Sequence, residues 1–362
     1  MSDRYIVIMA GGRGERFWPE SRLKRPKHLL PIVGDKAMLR QTLDRLGDIV
    51  PAANTFIITN VEQEEAIREM CQDLPEENVV SEPIGRDTAP AVGLAAVLVK
   101  QKNPDATFAI LPADHVIHDE KSLQECMNNG FQIAEKTSSL VTIGIDPTHP
   151  ATGYGYIHRG EVLEGFGGKG AYRVQRFVEK PDLQTATQYL ESKEYFWNAG
   201  MFVWTVDSIL EELEKYNPEL YGGLEQIGDR LASGEGLQSV LKEVYPELEK
   251  ISIDFSVMEK SERVVTLKST FDWDDVGEWP AIERHSEKDE AGNLVSGLGV
   301  VHSGSNNLVY NSGDKVTALL GVDDLIVVHT ADATLVCHKD KAQEIKKVVK
   351  ELGASETLSR FV

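Results

Sequence analysis

The chain has 362 residues, a formal net charge of -20 and three cysteines. The acidic balance argues against nucleic acid or an anionic membrane as a partner, and no apolar run approaches the roughly 20 residues that span a bilayer. The scattered cysteines fit neither a disulfide framework nor a metal site, and no signal peptide precedes the first predicted strand, so we expect a cytoplasmic protein.

The first half of the chain predicts alternating strands and helices. Apolar runs predict strands at 5–9, 55–59, 107–111 and 140–144, and periodic or alanine-rich segments predict helices near 37–47, 62–71, 89–101 and 121–136. This alternation indicates an α/β protein with a mainly parallel sheet and right-handed crossovers. Ligands of such sheets bind beyond the carboxyl ends of the strands.

A glycine-rich, cationic segment follows the first strand. Gly11, Gly12 and Gly14 allow the backbone to approach a ligand closely and to turn its N–H groups outward. Cations stand at positions 13, 16, 22, 24, 25 and 27 of an otherwise acidic chain, which favours a polyanion such as a nucleoside triphosphate over an ordinary surface loop. The dinucleotide fingerprint would need glycine or alanine where Phe17 stands, and no P-loop ending in Gly-Lys-Ser/Thr occurs.

Two further segments of the first half carry candidate functional carboxylates, residues 82–88 and Asp114. Asp87 or Thr88 can cap the helix near 89–101, and Glu82 offers a further carboxylate acceptor before that helix. Asp114 follows the strand 107–111, where a carboxylate suits Mg²⁺; the alternative is a turn or helix-cap aspartate.

After residue 150 the pattern changes. Strands at 153–158, 172–179 and 201–205 could form a lid, and helices follow between about 207 and 244. Glu179 and Lys180 end one of these strands as a candidate binding pair, the alternative being a solvated ion pair. Asn198 offers both a donor and an acceptor to a sugar hydroxyl, and Gly153 allows close backbone approach.

The segment 271–279 carries three aspartates, Asp272, Asp274 and Asp275, between two tryptophans. Such carboxylates repel one another unless a cation or solvent compensates. An exposed acidic turn is the alternative, but flanking large aromatics are usually packed. The segment is therefore a second candidate metal site.

Near residue 290 the composition shifts toward Gly, Asn and Ser. Short strands at 298–302, 307–310, 325–328 and 334–337 fit a small β-solenoid or a sandwich, and a helix at 341–352 closes the chain. We predict two domains, residues 1–288 and 289–362.

The segment Gly11-Gly-Arg-Gly-Glu-Arg-Phe-Trp-Pro19, with the trailing Arg-Pro-Lys27, resembles the signature of the sugar-nucleotide pyrophosphorylases. The Trp-Pro and Arg-Pro-Lys version is that of the members that make GDP-mannose. His28 stands where the family usually has glutamine, and Asp87 where it usually has asparagine. The resemblance implies a Rossmann-like, mainly parallel mixed sheet with a small C-terminal left-handed β-helix.

The resemblance also implies the reaction and the residues that serve it. GMP would pass from GTP to mannose 1-phosphate with Mg²⁺ as cofactor, giving GDP-mannose and pyrophosphate. Arg16, Lys27 and Lys180 would be catalytic, and Asp114 and Asp275 would hold the metal unless Asp274 shares it. The sugar phosphate would contact Gly153, Glu179, Lys180 and Asn198. The nucleotide would contact Ala10, Gly11, Gly12, Gly14, Glu82, Arg86, Asp87 and Thr88. A carboxylate could accept both edge donors of guanine, and we favour Glu82 over Asp87 for the base because capping competes for Asp87.

Two alternatives remain at this point. The protein could be a pyrophosphorylase for another sugar 1-phosphate or nucleotide, or a non-catalytic sugar-nucleotide-sensing subunit of the same fold. A sensing subunit would be expected to lose Lys27 or a metal aspartate, and this sequence keeps them. We expect a homodimer, and the chain ends too early for the isomerase domain of the longer relatives.

Overall fold

The computed structural model describes residues 3–362, so residues 1 and 2 of the predicted domain 1–288 lie outside the described part. The main sheet contains β1 (Arg4–Met9), β2 (Thr55–Asn60), β3 (Val79–Glu82), β4 (Thr107–Pro112), β5 (Leu140–Ile145), β6 (Tyr156–Val162), β7 (Ala171–Val178), β8 (Tyr195–Thr205) and β9 (Val264–Lys268). Their order across the sheet is β3-β2-β1-β4-β8-β5-β9-β7-β6, and β6 also pairs with β8.

The sheet is mixed, with its uninterrupted parallel part on one side. β3, β2, β1 and β4 pair in parallel, whereas β8 runs antiparallel to β4, β5 and β6. The strands predicted as a lid are therefore members of the main sheet. β8 takes a central position because side chains on both of its faces, such as Trp204 and Val203, are fully buried. The predicted α/β class with a mixed sheet is confirmed.

Helices cover both faces of this sheet. They are α1 (Met38–Leu46), α2 (Glu64–Met70), α3 (Thr88–Lys102), α4 (Glu120–Thr137), α5 (Leu183–Ser192), α6 (Val206–Tyr216), α7 (Pro218–Ala232) and α8 (Leu237–Val244), with α9 (Ile345–Ala354) near the end of the chain. α1 and α4 bury Leu39 and Met127 in one apolar cluster, and α3 and α7 bury Leu94 and Leu224 in another. Within residues 3–362 no helix is long and apolar enough to cross a membrane.

Short strands after residue 290 form a coil of parallel rungs. They are β10 (Leu294–Ser296), β11 (Gly299–His302), β12 (Leu308–Asn311), β13 (Thr317–Leu320), β14 (Leu325–His329) and β15 (Thr334–His338). β10, β12 and β14 pair in parallel, and β11 pairs in parallel with β13. Parallel pairing without intervening helices requires the chain to coil, which decides for the β-solenoid over the sandwich. Only β15 returns antiparallel, against β14.

The coil and the main sheet share a buried apolar cluster at the glycine-rich segment. Trp18 and Trp279 from one part pack there with Ile326 and Val349 from the other. Trp279 Nε1 donates to the Trp18 carbonyl at 3.2 Å, and Trp18 Nε1 donates to the Phe361 carbonyl at 2.7 Å. The segment after β1 is thus held from two sides.

Candidate active site

Two carboxylates that are distant in sequence meet beyond the carboxyl end of β4. Asp114 follows β4, and Asp275 follows β9. The Val116 N–H donates to the Asp274 carbonyl at 2.8 Å, and the Asp274 N–H donates to the Val116 carbonyl at 3.1 Å. This isolated β-bridge brings Asp114 and Asp275 into the lining of one cavity.

That cavity has a volume of about 460 Å³, and we name it the cationic cavity. Its charged lining includes the cations Arg13, Arg16, Lys27 and Lys346 and the carboxylates Glu15, Asp114 and Asp275. Both predicted metal ligands and both predicted catalytic cations of the glycine-rich segment therefore lie on one cavity. An anion that carries several charges, such as a triphosphate, fits this lining.

Lys27 ties the two aspartate segments together. Its Nζ donates to Asp114 Oδ2 at 2.9 Å, to the Asp114 carbonyl at 2.8 Å and to the Asp275 carbonyl at 2.6 Å, and an ammonium has three protons to give. Gly14 permits this arrangement, because a Cβ at its φ of +62° would lie 2.7 Å from Lys27 Cβ. These bonds take up all three protons of the ammonium, so Lys27 ties Asp114 to the backbone of Asp275; its catalytic role stays a prediction.

The two aspartates have opposite electrostatic environments. Burial alone would raise the pKa of Asp114, but the adjacent Lys27 ammonium and His115 hold the pKa at about 2. Burial raises the pKa of Asp275, outweighing its hydrogen bond from Tyr154 and the attraction of Lys27. The Tyr154 hydroxyl donates to Asp275 Oδ1 at 2.6 Å. Asp275 therefore gains most from a further cation at this site.

The two neighbouring aspartates, Asp272 and Asp274, accept hydrogen bonds from backbone N–H groups and from nearby side chains. Asp274 accepts hydrogen bonds from Arg284, from the Val276 N–H at 2.8 Å and from His285 Nε2 at 2.9 Å. Asp272 accepts from the backbone N–H groups of residues 118 and 119. Because the oxygens of Asp274 are taken up by this network, Asp275, whose Oδ1 accepts from Tyr154, is the less saturated of the two adjacent carboxylates.

A second cavity adjoins the first. This cavity of about 480 Å³, which we name the tyrosine cavity, is lined by Gly153, Tyr154 and Lys180 together with Arg16 and Asp275. Arg16 and Asp275 thus belong to both cavities. Arg16 Nε is buried and finds no hydrogen-bond partner within residues 3–362, so the guanidinium at the shared wall retains a donor for a ligand.

A third cavity, of about 390 Å³, lies at the start of the glycine-rich segment, and we name it the apolar cavity. Its lining includes Gly11, Gly12, Glu82, Asp87, Thr88 and Asp254. Ala10 is not part of this lining, and its predicted contact with nucleotide stays a prediction. Its N–H donates to the Ile58 carbonyl at 2.7 Å and its carbonyl accepts from the Thr59 hydroxyl at 2.9 Å, because the ladder of β1 continues through residue 10.

Glu82 presents a carboxylate to the apolar cavity. One oxygen accepts from the Tyr245 hydroxyl, and the other lies 3.3 Å from the position of a Cβ built on Gly11. Burial, partly offset by the Tyr245 hydrogen bond, raises the pKa of Glu82 to about 7. An acceptor held in this way suits a ligand that brings its own hydrogen-bond donors.

The segment that opens α3 is fixed mainly by its own turn. Asp87 has φ 70° and caps the helix by accepting from the Thr88 N–H at 2.8 Å. The Thr88 hydroxyl accepts from the Ile253 N–H at 2.9 Å. Arg86 Nε is buried without a hydrogen-bond partner in the described residues. The capping alternative is therefore correct for Asp87, while both Asp87 and Thr88 still line the apolar cavity.

A fourth cavity, of about 360 Å³, joins the apolar and tyrosine cavities, and we name it the glutamate cavity. It is lined by Glu179 and Lys180 and shares Asp87, Thr88 and Asp254 with the apolar cavity. The Lys180 ammonium pairs with Glu179 Oε1 at 2.5 Å, yet Lys180 is 61% exposed and Glu179 only 9%. The ion pair is thus present, but a buried carboxylate faces a cavity rather than solvent.

The side chain of Asn198 bonds to other parts of the protein, and its sugar contact stays a prediction. Its Oδ1 accepts from the Thr142 hydroxyl at 2.9 Å and from the Gly200 N–H at 3.1 Å, and its Nδ2 donates to Asp254 Oδ1 at 3.1 Å. Asn198 therefore positions Asp254, which lines both the apolar and the glutamate cavity. Sequence reasoning missed Asp254, because a single aspartate outside any motif carries no signal.

The fold and the site together define a nucleotidyltransferase. The nucleotidyl transferase family model matches residues 5–292, so the chain belongs to that family, as the glycine-rich segment predicted. A model described as MannoseP isomerase/GMP-like beta-helix domain matches residues 299–352, which confirms the predicted C-terminal β-helix.

Two curated relatives and one solved structure are similar to this chain over nearly its whole length. The chain is 38% identical over 352 residues to mannose-1-phosphate guanylyltransferase from Klebsiella pneumoniae, covering 97% of this chain and 74% of that one. It is 39% identical over 357 residues to mannose-1-phosphate guanylyltransferase from Escherichia coli K12, covering 98% and 74%. A solved structure of mannose-1-phosphate geranyltransferase from Thermus thermophilus is 38% identical, with a TM-score of 0.85 over 97% of this chain and 100% of that one.

Proposed function

We propose that this protein transfers GMP from GTP to mannose 1-phosphate, giving GDP-mannose and pyrophosphate. The similarity to mannose-1-phosphate guanylyltransferases over nearly the whole chain supports the reaction. The structural observation that carries it is the wall shared by the cationic and tyrosine cavities, formed by Arg16 and Asp275. A triphosphate in the first cavity and a sugar phosphate in the second would meet at this wall.

The transfer needs no covalent intermediate on the enzyme. An oxygen of mannose 1-phosphate attacks the α-phosphorus in line, and pyrophosphate leaves with the electron pair of the broken P–O bond. Catalysis then comes from positioning and charge neutralisation. Arg16 stabilises the charge that develops at the α-phosphate, Lys180 steers the sugar phosphate, and Lys27 holds Asp114 and Asp275 in place.

Magnesium is part of this proposal, with Asp114 and Asp275 as its protein ligands. Mg²⁺ is commonly bound by one or two carboxylates plus substrate phosphates rather than by an all-protein cage. Two carboxylates on one cavity fit that donor set, and no group of three or more His, Cys, Asp or Glu suited to a metal occurs among residues 3–362. When bound, the cation would neutralise phosphate charge.

The base would lie in the apolar cavity and the sugar near the glutamate cavity. Glu82 supports guanine, because guanine presents N1–H and N2–H₂ donors to a carboxylate while adenine presents an acceptor at N1. Gly11 and Gly12 line the same cavity. Glu179 would accept from sugar hydroxyls, with Gly153 on the side of the sugar phosphate.

The proposal also covers the domain boundary, the location of the reaction and the partners of the protein. We place the boundary between the catalytic and β-helix domains at 288/289 and the reaction in the cytoplasm, where the free thiols Cys71, Cys126 and Cys337 would stay reduced. A homodimer and the lack of a nucleic-acid or membrane partner remain predictions.

The reaction is tested by pyrophosphate release across four nucleoside triphosphates and several sugar 1-phosphates. The expected result is release that requires both substrates and is fastest with GTP and mannose 1-phosphate. Faster release with another pair would identify a pyrophosphorylase of different specificity. Binding of GDP-mannose without turnover of any pair would identify a sensing subunit.

Glu82→Gln is expected to lower the preference for GTP over ATP by about tenfold or more, because a buried carboxylate left facing the wrong base costs affinity. The pH dependence of the KM for GDP-mannose should also reveal the Glu82 carboxyl group. Below about pH 7 the carboxyl is protonated and no longer accepts both guanine donors, so the KM for GDP-mannose in the reverse reaction rises as the pH falls. GDP-mannose suits this measurement because GTP carries a terminal phosphate that itself titrates near pH 6.

The control for this prediction is Asp87→Asn, which keeps the size of the side chain that caps α3. In Glu82→Gln the pH dependence of the KM should disappear, and in Asp87→Asn it should persist. Loss of base preference in Asp87→Asn alone would reverse the two roles. If neither substitution changes the preference, guanine is read by backbone groups of the Ala10–Gly12 turn.

Glu179→Gln is expected to raise the KM for mannose 1-phosphate about tenfold while leaving the KM for GTP within about twofold, because a charged hydrogen-bond acceptor contributes roughly 1.5–3 kcal/mol. Steady-state kinetics with each substrate varied in turn measures the two constants. Lys180→Met, which removes the same ion pair, is the comparison. Equal effects of Glu179→Gln on both substrates would assign Glu179 a structural role.

A further inference from the structure

A lysine of the C-terminal domain reaches the candidate active site. Lys346, in the first turn of α9, lines the cationic cavity together with Arg13, Arg16 and Lys27. It is the member of this lining that comes from beyond residue 289. The C-terminal domain therefore contributes a charged side chain to the cavity as well as apolar packing.

The position of Lys346 is set by the residues around it on α9. Ile345 and Val349, one turn apart, are buried in the apolar cluster that contains Phe17 and Trp18. Before the helix, the Gln343 side chain donates to Glu278 Oε2 at 2.7 Å. These contacts fix the start of α9 against both the glycine-rich segment and the segment that carries Asp275.

The charge of Lys346 is free, unlike that of its neighbours. Lys341 and Lys347 both pair with Glu344, at 2.8 Å each. Lys346 is exposed and forms no hydrogen bond or ion pair within residues 3–362. A lysine without a partner, held at the rim of a cavity by a packed helix, is available to an anionic ligand.

The cations that line the cationic cavity differ in how far the protein itself pairs them with carboxylates. Lys27 gives its three protons to Asp114 and Asp275. Arg13 lies at the weak limit of an ion pair, 4.0 Å from Glu15. The cations of the described lining that have no carboxylate oxygen closer than 4.0 Å are therefore Arg13, Arg16 and Lys346.

We propose that Lys346 binds the β- and γ-phosphates of the nucleotide, and hence pyrophosphate in the reverse reaction. The inference rests on the proposed function. Arg16 stands at the wall where the α-phosphate meets the sugar phosphate, while Lys346 and Arg13 line the cationic cavity and not the tyrosine cavity. The part of the triphosphate that extends away from the wall is the part that leaves as pyrophosphate.

The test uses the reverse reaction, cleavage of GDP-mannose by pyrophosphate, with the full chain. Lys346→Met is expected to raise the KM for pyrophosphate about 10- to 100-fold, the range for a lost charge-assisted hydrogen bond, while the KM for GDP-mannose stays within about twofold. Lys346→Arg should restore most of the pyrophosphate affinity. Lys347→Met, which removes the adjacent lysine from the same helix, is the matched control and should behave like the unmodified protein.

Each outcome separates the inference from the proposed function. If the unmodified protein does not cleave GDP-mannose with pyrophosphate, the proposed function fails and the inference with it. If cleavage occurs and Lys346→Met leaves the KM for pyrophosphate unchanged, or raises both KM values equally, the inference alone is overturned. A rise for pyrophosphate that Lys347→Met reproduces would assign the effect to general helix charge and would also overturn it.

Discussion

Lys27→Met is expected to reduce kcat by about 10²- to 10³-fold, the usual cost of losing one preorganised charge at a reacting centre. The ammonium joins Asp114 to the backbone of Asp275 through three hydrogen bonds. Without it the two aspartate segments lose their common tie, and the pKa of Asp114 rises because the largest lowering influence on that carboxyl is removed. The measurement is kcat at saturating GTP and mannose 1-phosphate, with thermal unfolding recorded in parallel.

Lys24→Met provides the matched control, since Lys24 is an exposed lysine of the same segment outside the lining of the four cavities. It should retain nearly full kcat. If Lys27→Met retained it as well, Lys27 would have no part in catalysis, and equal retention in Arg16→Ala would remove the glycine-rich segment from the active site. A large fall in Tm without loss of kcat at low temperature would make Lys27 a purely structural tie.

The parts of the site that the sequence could predict are those whose chemistry is local. The glycines and cations of residues 11–27 stand close together along the chain, and Asp114 follows a strand whose apolar run is unambiguous. Position beyond the carboxyl end of a parallel strand then follows from the α/β alternation. Glu82 could be named from its residue type, and the structure places it on the apolar cavity; its role toward guanine stays a prediction.

The parts that the sequence could not predict depend on contacts between distant segments. The central place of β8 is set by pairing with β4 and β5, which apolar periodicity does not encode. The saturation of Lys27 requires Asp275 to be brought within reach by the Val116–Asp274 bridge. The role of Asn198 likewise appears only once Asp254 lies beside it.

The placement of the C-terminal domain also depends on contacts between distant segments. Its short strands and turn residues predict a coil or a sandwich, but they do not state which surface it covers. Packing of Trp18 and Trp279 against Ile326 and Val349 decides that the coil lies on the glycine-rich segment. A domain that resembles an appendage in the sequence therefore contributes to the shape and charge of the candidate active site.

Asp275→Asn is expected to lower turnover by about 10³-fold or more, since a metal ion at a reacting phosphate contributes several kcal/mol and each 1.36 kcal/mol is tenfold in rate. The amide keeps the size of the side chain and can still accept from Tyr154, so the fold should persist. Titration of GTP binding with Mg²⁺ gives a readout that does not depend on turnover. The Mg²⁺ concentration needed for half-maximal binding should rise in Asp275→Asn.

Asp274→Asn is the comparison that separates the two neighbouring carboxylates. Asp274 is paired with Arg284 and His285, and its pKa is held well below the usual range by these hydrogen bonds against the opposing effect of burial. Its substitution should therefore lower the Tm, most clearly above pH 4, where an unperturbed aspartate is ionised, while the Mg²⁺ requirement stays unchanged. If instead Asp274→Asn raises the Mg²⁺ requirement and Asp275→Asn does not, Asp274 is the ligand. Full turnover in the presence of a chelator would remove the metal from the mechanism altogether.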